Sequence, residues 1–239
     1  YSVGAQLNSM FIAVGCVVSG VVLPTVTRIV NSDRLNDTIS LFWAKTGRIQ
    51  AFIVCLVMSG VCLFGQEFIV LLSGETYCEA YYVALLLMLP YTVDLVQNCA
   101  LPIMQVKDCY KIRAVVLICM AVTNLILAII VVNDYGIVGV SAATGITVIL
   151  GSGIVMNWVY KKYVGLDIIM FWKDTAPIFA ITVVTAVIGN QINKIQISNS
   201  YLQFALHVIL YSILYFVMMY AVSFKADEKE LVKRFLKKM

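Results

Sequence analysis

The chain has 239 residues, 62% of them hydrophobic and only 13% charged, with a mean hydropathy of +0.93, whereas a soluble domain carries roughly 25% charged residues. That balance excludes a water-soluble globular enzyme and points to lipid as the solvent. The net charge of +4 lies in the connecting segments and calls for no nucleic-acid partner.

A run of about 20 apolar helical residues crosses a bilayer. The apolar runs here are that long, and they lack the alternation over about ten residues that a lipid-facing barrel strand shows. The sequence therefore predicts an all-α polytopic membrane protein. About seven transmembrane helices are expected, at roughly 5–28, 49–72, 81–104, 112–132, 137–160, 175–192 and 201–223.

The first run holds Gln6, Asn8 and Ser9 near one end and Pro24 near the other. A proline inside a helix frees a backbone carbonyl and tends to bend it. The segment NSDRLNDTISLFWAKTGRIQ follows, with Leu35, Ile39, Phe42 and Ile49 on one helical face and Trp43 at hand. Residues 31–48 read as an amphipathic helix on the cytoplasmic interface, with a plain polar connecting helix as the alternative. The second run ends at Gln66 and Glu67, which mark its outer boundary, before an acidic loop with Glu75 and Glu79.

The third run, YYVALLLMLPYTVDLVQNCALPIM, carries Asp94 near its centre, then Gln97 and Asn98. An ionised carboxylate at bilayer depth costs about 2.5–3.5 kcal/mol or more. Asp94 must therefore face protein or water, be protonated, or hold a cation. Positions i, i+3 and i+4 share a helix face, and Pro90 frees the carbonyl of Leu86 one turn earlier. A polar strip on a kinked helix suits the wall of a water-filled cavity. The structural alternative is that Asp94 bonds to a neighbouring helix and only orients it.

The fourth run contains Thr123 and Asn124, and the fifth is rich in small residues, including Ser141 and Gly145. Small faces let helix backbones approach closely in lipid. GLDIIMFWK reads as an interfacial elbow with Trp172 at headgroup depth. The last run contains His207, the one histidine of the chain, read as a packed residue with a proton relay as the weaker alternative. Residues 224–239 form a basic cytoplasmic tail.

Apart from Lys194, all of the 17 Lys and Arg residues fall on one side of this topology. The positive-inside bias makes that side, and the C-terminus, cytoplasmic. Arg28, Arg48 and Arg113 stand at cytoplasmic helix ends, where they can meet lipid phosphates. The seven cysteines, Cys16, Cys55, Cys62, Cys78, Cys99, Cys109 and Cys119, lack metal-type spacing and read as packing residues. No catalytic residue, metal site or cofactor is predicted. No phosphate-binding G-x-x-x-x-G-K-[ST] loop is present. The chain opens at Tyr1 rather than Met, and is expected to be the C-terminal part of a longer protein.

Three stretches carry a resemblance. They are LPTVTRIV with the helix after it and GRIQAFIV; FIVLLSGETYCEAYYVALLLMLP; and NDYGIVGVSAATGITVIL. In order, they resemble the P-x-x-x-R span end with its connecting helix, the G-x-x-Y element before a new span, and the Y-G-I-x-G-x-x-x-A-T opening of a late span. These belong to bacterial polysaccharide and oligosaccharide flippases of the MATE-related exporter superfamily. The resemblance implies one half of a two-bundle MATE-like flippase in the bacterial cytoplasmic membrane. It further implies translocation of lipid-linked oligosaccharide by alternating access, with membrane lipids as neighbours and H⁺ or Na⁺ as the coupling ion. Cavity-lining or ion-coupling candidates are Asp94, Gln97, Asn98, Asn8 and Asn124. Headgroup candidates are Arg28, Arg48 and Arg113. Competing readings are a multidrug or small-cation antiporter of the same fold and, more weakly, a membrane-embedded sugar polymerase or acyltransferase.

Overall fold

In lipid, each backbone amide has to be satisfied along its own helix, and the computed structural model obeys that rule. It describes residues 2–30, 35–74, 80–194, 200–225 and 228–230, all helix or short turn, with no strand among them. Helix α1 is Ser2–Val30, α2 is Leu35–Ser73 and α3 is Ala80–Gln97. A single 3₁₀ turn, Asn98–Ala100, joins α3 to the short α4, Leu101–Val106. Helix α5, Tyr110–Val148, continues through π-helical Ile149–Val155, then α6, Met156–Val159, and a second π-helical stretch, Tyr160–Val164. The chain ends with α7, Ile168–Gly189, and α8, Ser200–Met218.

Among the described residues, five helical stretches are long and apolar enough to cross a membrane, and six if the two parts of α1, bent by 41°, count as one. The bend falls between Val17 and Val22. Pro24 explains its position, because it removes the hydrogen bond to the carbonyl of Gly20. The stretch Tyr110–Val164 is 55 residues long, about 80 Å if straight, far beyond the bilayer's hydrocarbon core. It is not straight. Gly136 adopts φ 56°, ψ −139° within it, a conformation open to glycine at little cost. Past this point the chain doubles back: Gly139 lies against Val131, Thr144 bonds Asn124, and Gly151 lies against Met120. Helix α5 is thus an antiparallel hairpin.

Helix α2 is the hub, packed on α1 and α3 on one side and on α7 and α8 on the other, while α3 carries the α5 hairpin. Its first turns correct an expectation. Residues 35–48 are not a separate interfacial helix but the start of an unbroken 39-residue α2, and residues 31–34 lie outside the described set. Trp43 is fully buried, stacked on Phe171 at 3.9 Å and edge-on to Tyr160 at 5.7 Å. Gly47 admits the Phe171 ring, which any Cβ would strike. The elbow before α7 is real but tighter than expected. Gly165 is left-handed, and Asp167 caps α7 by accepting from the Met170 amide at 3.0 Å. Trp172 is half-buried and donates to Asn157 at 3.3 Å.

Arg48 corrects a second expectation. Its guanidinium is 3% exposed and grips Glu228 through two contacts, at 2.7 and 3.0 Å, besides the carbonyls of Asp174 and Ser223. With its donors committed to α2's neighbours, it leaves no face for a lipid headgroup. Lys225 adds an ion pair with Asp174 at 2.8 Å. Burial opposes ionisation of Glu228, but hydrogen bonds from Arg48 and the Lys225 amide, with both positive charges, hold its carboxyl below the usual range. Of the predicted tail, only Phe224, Lys225 and 228–230 are described, and they dock on the bundle.

Two outcomes follow from these contacts. Removing one partner of a buried pair costs about 3–5 kcal/mol, so Arg48→Met should strongly lower the thermal midpoint of the detergent-solubilised protein, and Arg48→Met with Glu228→Leu should recover part of it. A carboxyl with a depressed folded pKa stabilises the fold above its unfolded value, about 4.3, and that contribution disappears as pH falls through the folded value. Glu228→Gln should therefore flatten the acid limb of a stability–pH profile, and an unchanged limb would contradict this assignment. Separately, a Cβ at Gly145 would meet the Leu86 carbonyl at 2.9 Å and Pro90 Cγ at 3.0 Å. Gly145→Val should destabilise the α3–α5 contact by about 1–3 kcal/mol, read by the same thermal measurement.

Candidate functional site

Proline at position 90 leaves the Leu86 carbonyl without its helical donor, and Gly145 of the hairpin closes on that carbonyl. The small-residue face of α5, including buried Ser141, Ala143 and Gly145, therefore lies along α3. One turn past Pro90 comes Asp94, half-buried. Its carboxylate faces the hydroxyl of Ser152 and the positive charge of Arg113. Tyr160, buried, lies within the field of both Asp94 and Arg113. No direct ion pair joins Asp94 to Arg113 among the described residues. Both limbs of the hairpin thus bear on one carboxylate: Arg113 from the first limb and Ser152 from the return.

The π-helical winding brings Ser152 and Tyr160 toward one side of the return limb. Eight residues of ordinary α-helix would leave them about 80° apart. The wider π turns of Ile149–Val155 rotate less per residue and draw them toward one line. Such insertions are frequent at functional sites.

Asp94, Gln97 and Asn98 do not form the single strip expected from their spacing. Gln97 folds back to donate to the Val93 carbonyl at 3.1 Å, and Asn98 turns to the sulfur of Cys16 on α1 at 3.8 Å. The 3₁₀ turn starting at Asn98 tightens the winding, and the neighbours on either side of α3 differ. The result is two adjoining polar regions on α3. One is the charged group with α5. The other is an amide seam with α1 and α2, to which Gln50 contributes by donating to the Gly15 carbonyl. In Gln50, Gln97 and Asn98 the amide nitrogen is used while the oxygen finds no partner among the described residues. A buried unpaired acceptor costs about 1–3 kcal/mol, so this seam has most to gain from a donor or cation.

The remaining candidates are dispersed. Asn8 is buried on α1, its side-chain oxygen also without a partner among the described residues. Asn124 accepts from Thr144 at 3.2 Å within the hairpin and does not reach Asp94's group. Arg28 is exposed at the end of α1, as headgroup contact requires. Sequence reasoning missed Ser152, Tyr160 and Gln50. Only Gln50 carried a legible signal, as an amide at the head of an apolar run. Outside the helices, burial pushes the Lys107 ammonium's pKa down while its Nζ donates to the Val164 carbonyl at 2.7 Å, at the open end of the hairpin. No protein-family model, curated protein or solved structure matches this chain.

The electrostatic link between Asp94 and Arg113 is measurable without knowing the function. In a double-mutant cycle of Asp94→Asn and Arg113→Gln, neighbouring charges should show a stability coupling of about 0.5–3 kcal/mol. Additive effects would place the two groups outside each other's influence.

Proposed function

We propose that the chain is one half of a carrier that moves lipid-linked oligosaccharides across the bacterial cytoplasmic membrane by alternating access. The observation that carries this reading is the unclosed charge group: an acid and a guanidinium held among apolar helices, coupled but not locked in an ion pair. A locked pair favours structure alone. A pair with a gap is placed to exchange partners.

In the proposed cycle, Arg113 meets the pyrophosphate of the substrate, since guanidinium binds phosphate oxygens through charge-assisted hydrogen bonds. Asp94 then loses its compensating charge, and taking up H⁺ or Na⁺ restores neutrality. Ser152 keeps the carboxylate oriented during the exchange. Counting α1, α2, α3 with α4, the two limbs of α5, α7 and α8 as crossings gives the seven of the proposed topology, with the basic ends inside. Two such halves rocking about a midplane site is the general scheme for carriers of this kind. The resemblance to polysaccharide flippases supports the choice of cargo. The half-buried carboxylate also favours a second reading, a small-cation antiporter in which Asp94 meets the cargo directly.

The test uses the full-length protein in proteoliposomes with a fluorescent lipid-linked oligosaccharide, its transbilayer movement read by quenching from outside. A hydrogen bond to a charged group contributes about 1.5–3 kcal/mol, so Arg113→Gln should slow movement by about one to two orders of magnitude. Asp94→Asn should abolish the response to a proton or sodium gradient. If neither substitution alters movement, the charge group has no part in transport. Ethidium movement without oligosaccharide movement would favour the antiporter.

A further inference from the structure

At the end of the bundle away from the Arg48 clamp, a second polar group was assembled from residues far apart in sequence. Glu67 lies near the end of α2, and Gln203 and His207 lie one turn apart on α8. Gln203 donates to one carboxylate oxygen of Glu67 at 3.3 Å, and His207 Nδ1 lies 3.3 Å from the other. Phe64 stacks on the His207 ring at 5.6 Å and keeps it in place. The carboxylate is therefore aimed rather than mobile. It opens into a cavity of about 420 Å³, which Gln66, Asn193 and Ser200 also line. That volume lies within the roughly 300–1,000 Å³ of small-molecule sites.

We infer that this cavity is a binding site for the neutral, hydroxyl-rich head of a saccharide. Its chemistry selects the class. The described lining holds no Lys or Arg, and the fixed carboxylate repels phosphate. A carboxylate whose oxygens each accept one hydrogen bond keeps further lone pairs for ligand hydroxyls. The amide of Gln66 can donate and accept, matching hydroxyls that do both, while Asn193, whose nitrogen donates to the Leu63 carbonyl and to Asn190, offers its oxygen as an acceptor. Leu63, Val70 and Leu71 supply an apolar wall for the C–H face of a sugar ring. The preference for a saccharide over another polyol rests on the carrier reading, in which this cavity would receive the head group on the far side of the membrane.

The experiment is saturation-transfer NMR on the detergent-solubilised full-length protein, with cellobiose and N,N′-diacetylchitobiose as probes at millimolar concentration. Transfer to at least one disaccharide is expected. Glu67→Gln should weaken it about tenfold, the loss of one charge-assisted hydrogen bond, and Gln66→Ala, at an exposed position that folding does not need, should weaken it too. The inference is overturned if neither probe binds, if both cavity variants bind as the parent does, or if tetramethylammonium displaces the sugar competitively. Lipid-linked oligosaccharide movement is measured in parallel. Movement without free-saccharide binding removes this site alone, whereas binding without movement keeps the site and removes the carrier reading.

Discussion

The Arg48 guanidinium shows the constraint under which the rest of the molecule is built. A chain this apolar has little water to satisfy polar groups, so each buried donor needs an acceptor on another helix. Arg48 finds four contacts on three separate segments: α7 through the Asp174 carbonyl, the end of the last helix through the Ser223 carbonyl, and the tail through both oxygens of Glu228. The cost of burying a charge is offset only by that degree of saturation. The ends of α2, α7 and α8 nearest Arg48 are consequently bound together, and the stack of Trp43 on Phe171 reinforces the same crossing with apolar area. Gly47 makes it possible by letting the ring approach the α2 backbone.

The α3–α5 contact follows the opposite design. Small residues close it, and its polar groups are coupled without being saturated. Asp94 lacks a direct ion pair, and the amides on the other face of α3 keep oxygens without partners among the described residues. Among the described residues, single unpaired polar atoms occur elsewhere in the bundle too, at Trp43, Tyr211 and Ser223, but the amides around α3 gather several of them. Incomplete satisfaction is destabilising at rest and is resolved when a ligand or ion supplies the missing charge or donor. Saturated and unsaturated polar contacts thus separate between the Arg48 end of α2 and the surroundings of α3.

Much of this was legible in the sequence. The apolar runs place the helices, and the NDYG stretch marks the reversal at Gly136, because a positive φ there suits glycine. Pro90 correctly locates a freed carbonyl, and the Ser141–Gly145 face locates the surface that covers it. What periodicity cannot convey is what lies opposite a face. The apolar stripe through Ile39 and Phe42 looks the same against lipid as against protein, so Trp43 reads as an interface anchor when Phe171 covers it. The i, i+3, i+4 rule places Asp94, Gln97 and Asn98 within a narrow arc, but α5 and α1 divide that arc between them. Ser152 and Tyr160 stay hidden for a different reason: their alignment depends on π-helical winding, which leaves no mark in a hydrophobic pattern. Glu67 and His207 were each visible, and only the fold makes them a pair.

These contrasts decide where a carrier of this construction would bend. Helices α2 and α8 are joined at one end by the Arg48 network and at the other by Glu67 with Gln203 and His207, with Tyr215 bonding the Phe52 carbonyl between them at 3.2 Å. Helix α7 shares the first clamp and touches Tyr215 through Thr182 at 3.2 Å. Three helices tied at several heights shift as one slab. The α5 hairpin meets this slab near the foot of its return limb, where Trp172 donates to Asn157 at 3.3 Å and Trp43 packs edge-on to Tyr160; along the rest of its length it leans on α3 through glycine and alanine, whose close approach permits sliding with little loss of interdigitated side chains. Motion between slab and hairpin therefore concentrates at α3, whose helix is already interrupted by Pro90 and by the 3₁₀ turn at Asn98. Asp94 sits between those two interruptions. A charge exchange at that residue acts where the backbone has the least helical hydrogen bonding to resist it, which is the physical requirement for coupling an ion to a rocking movement.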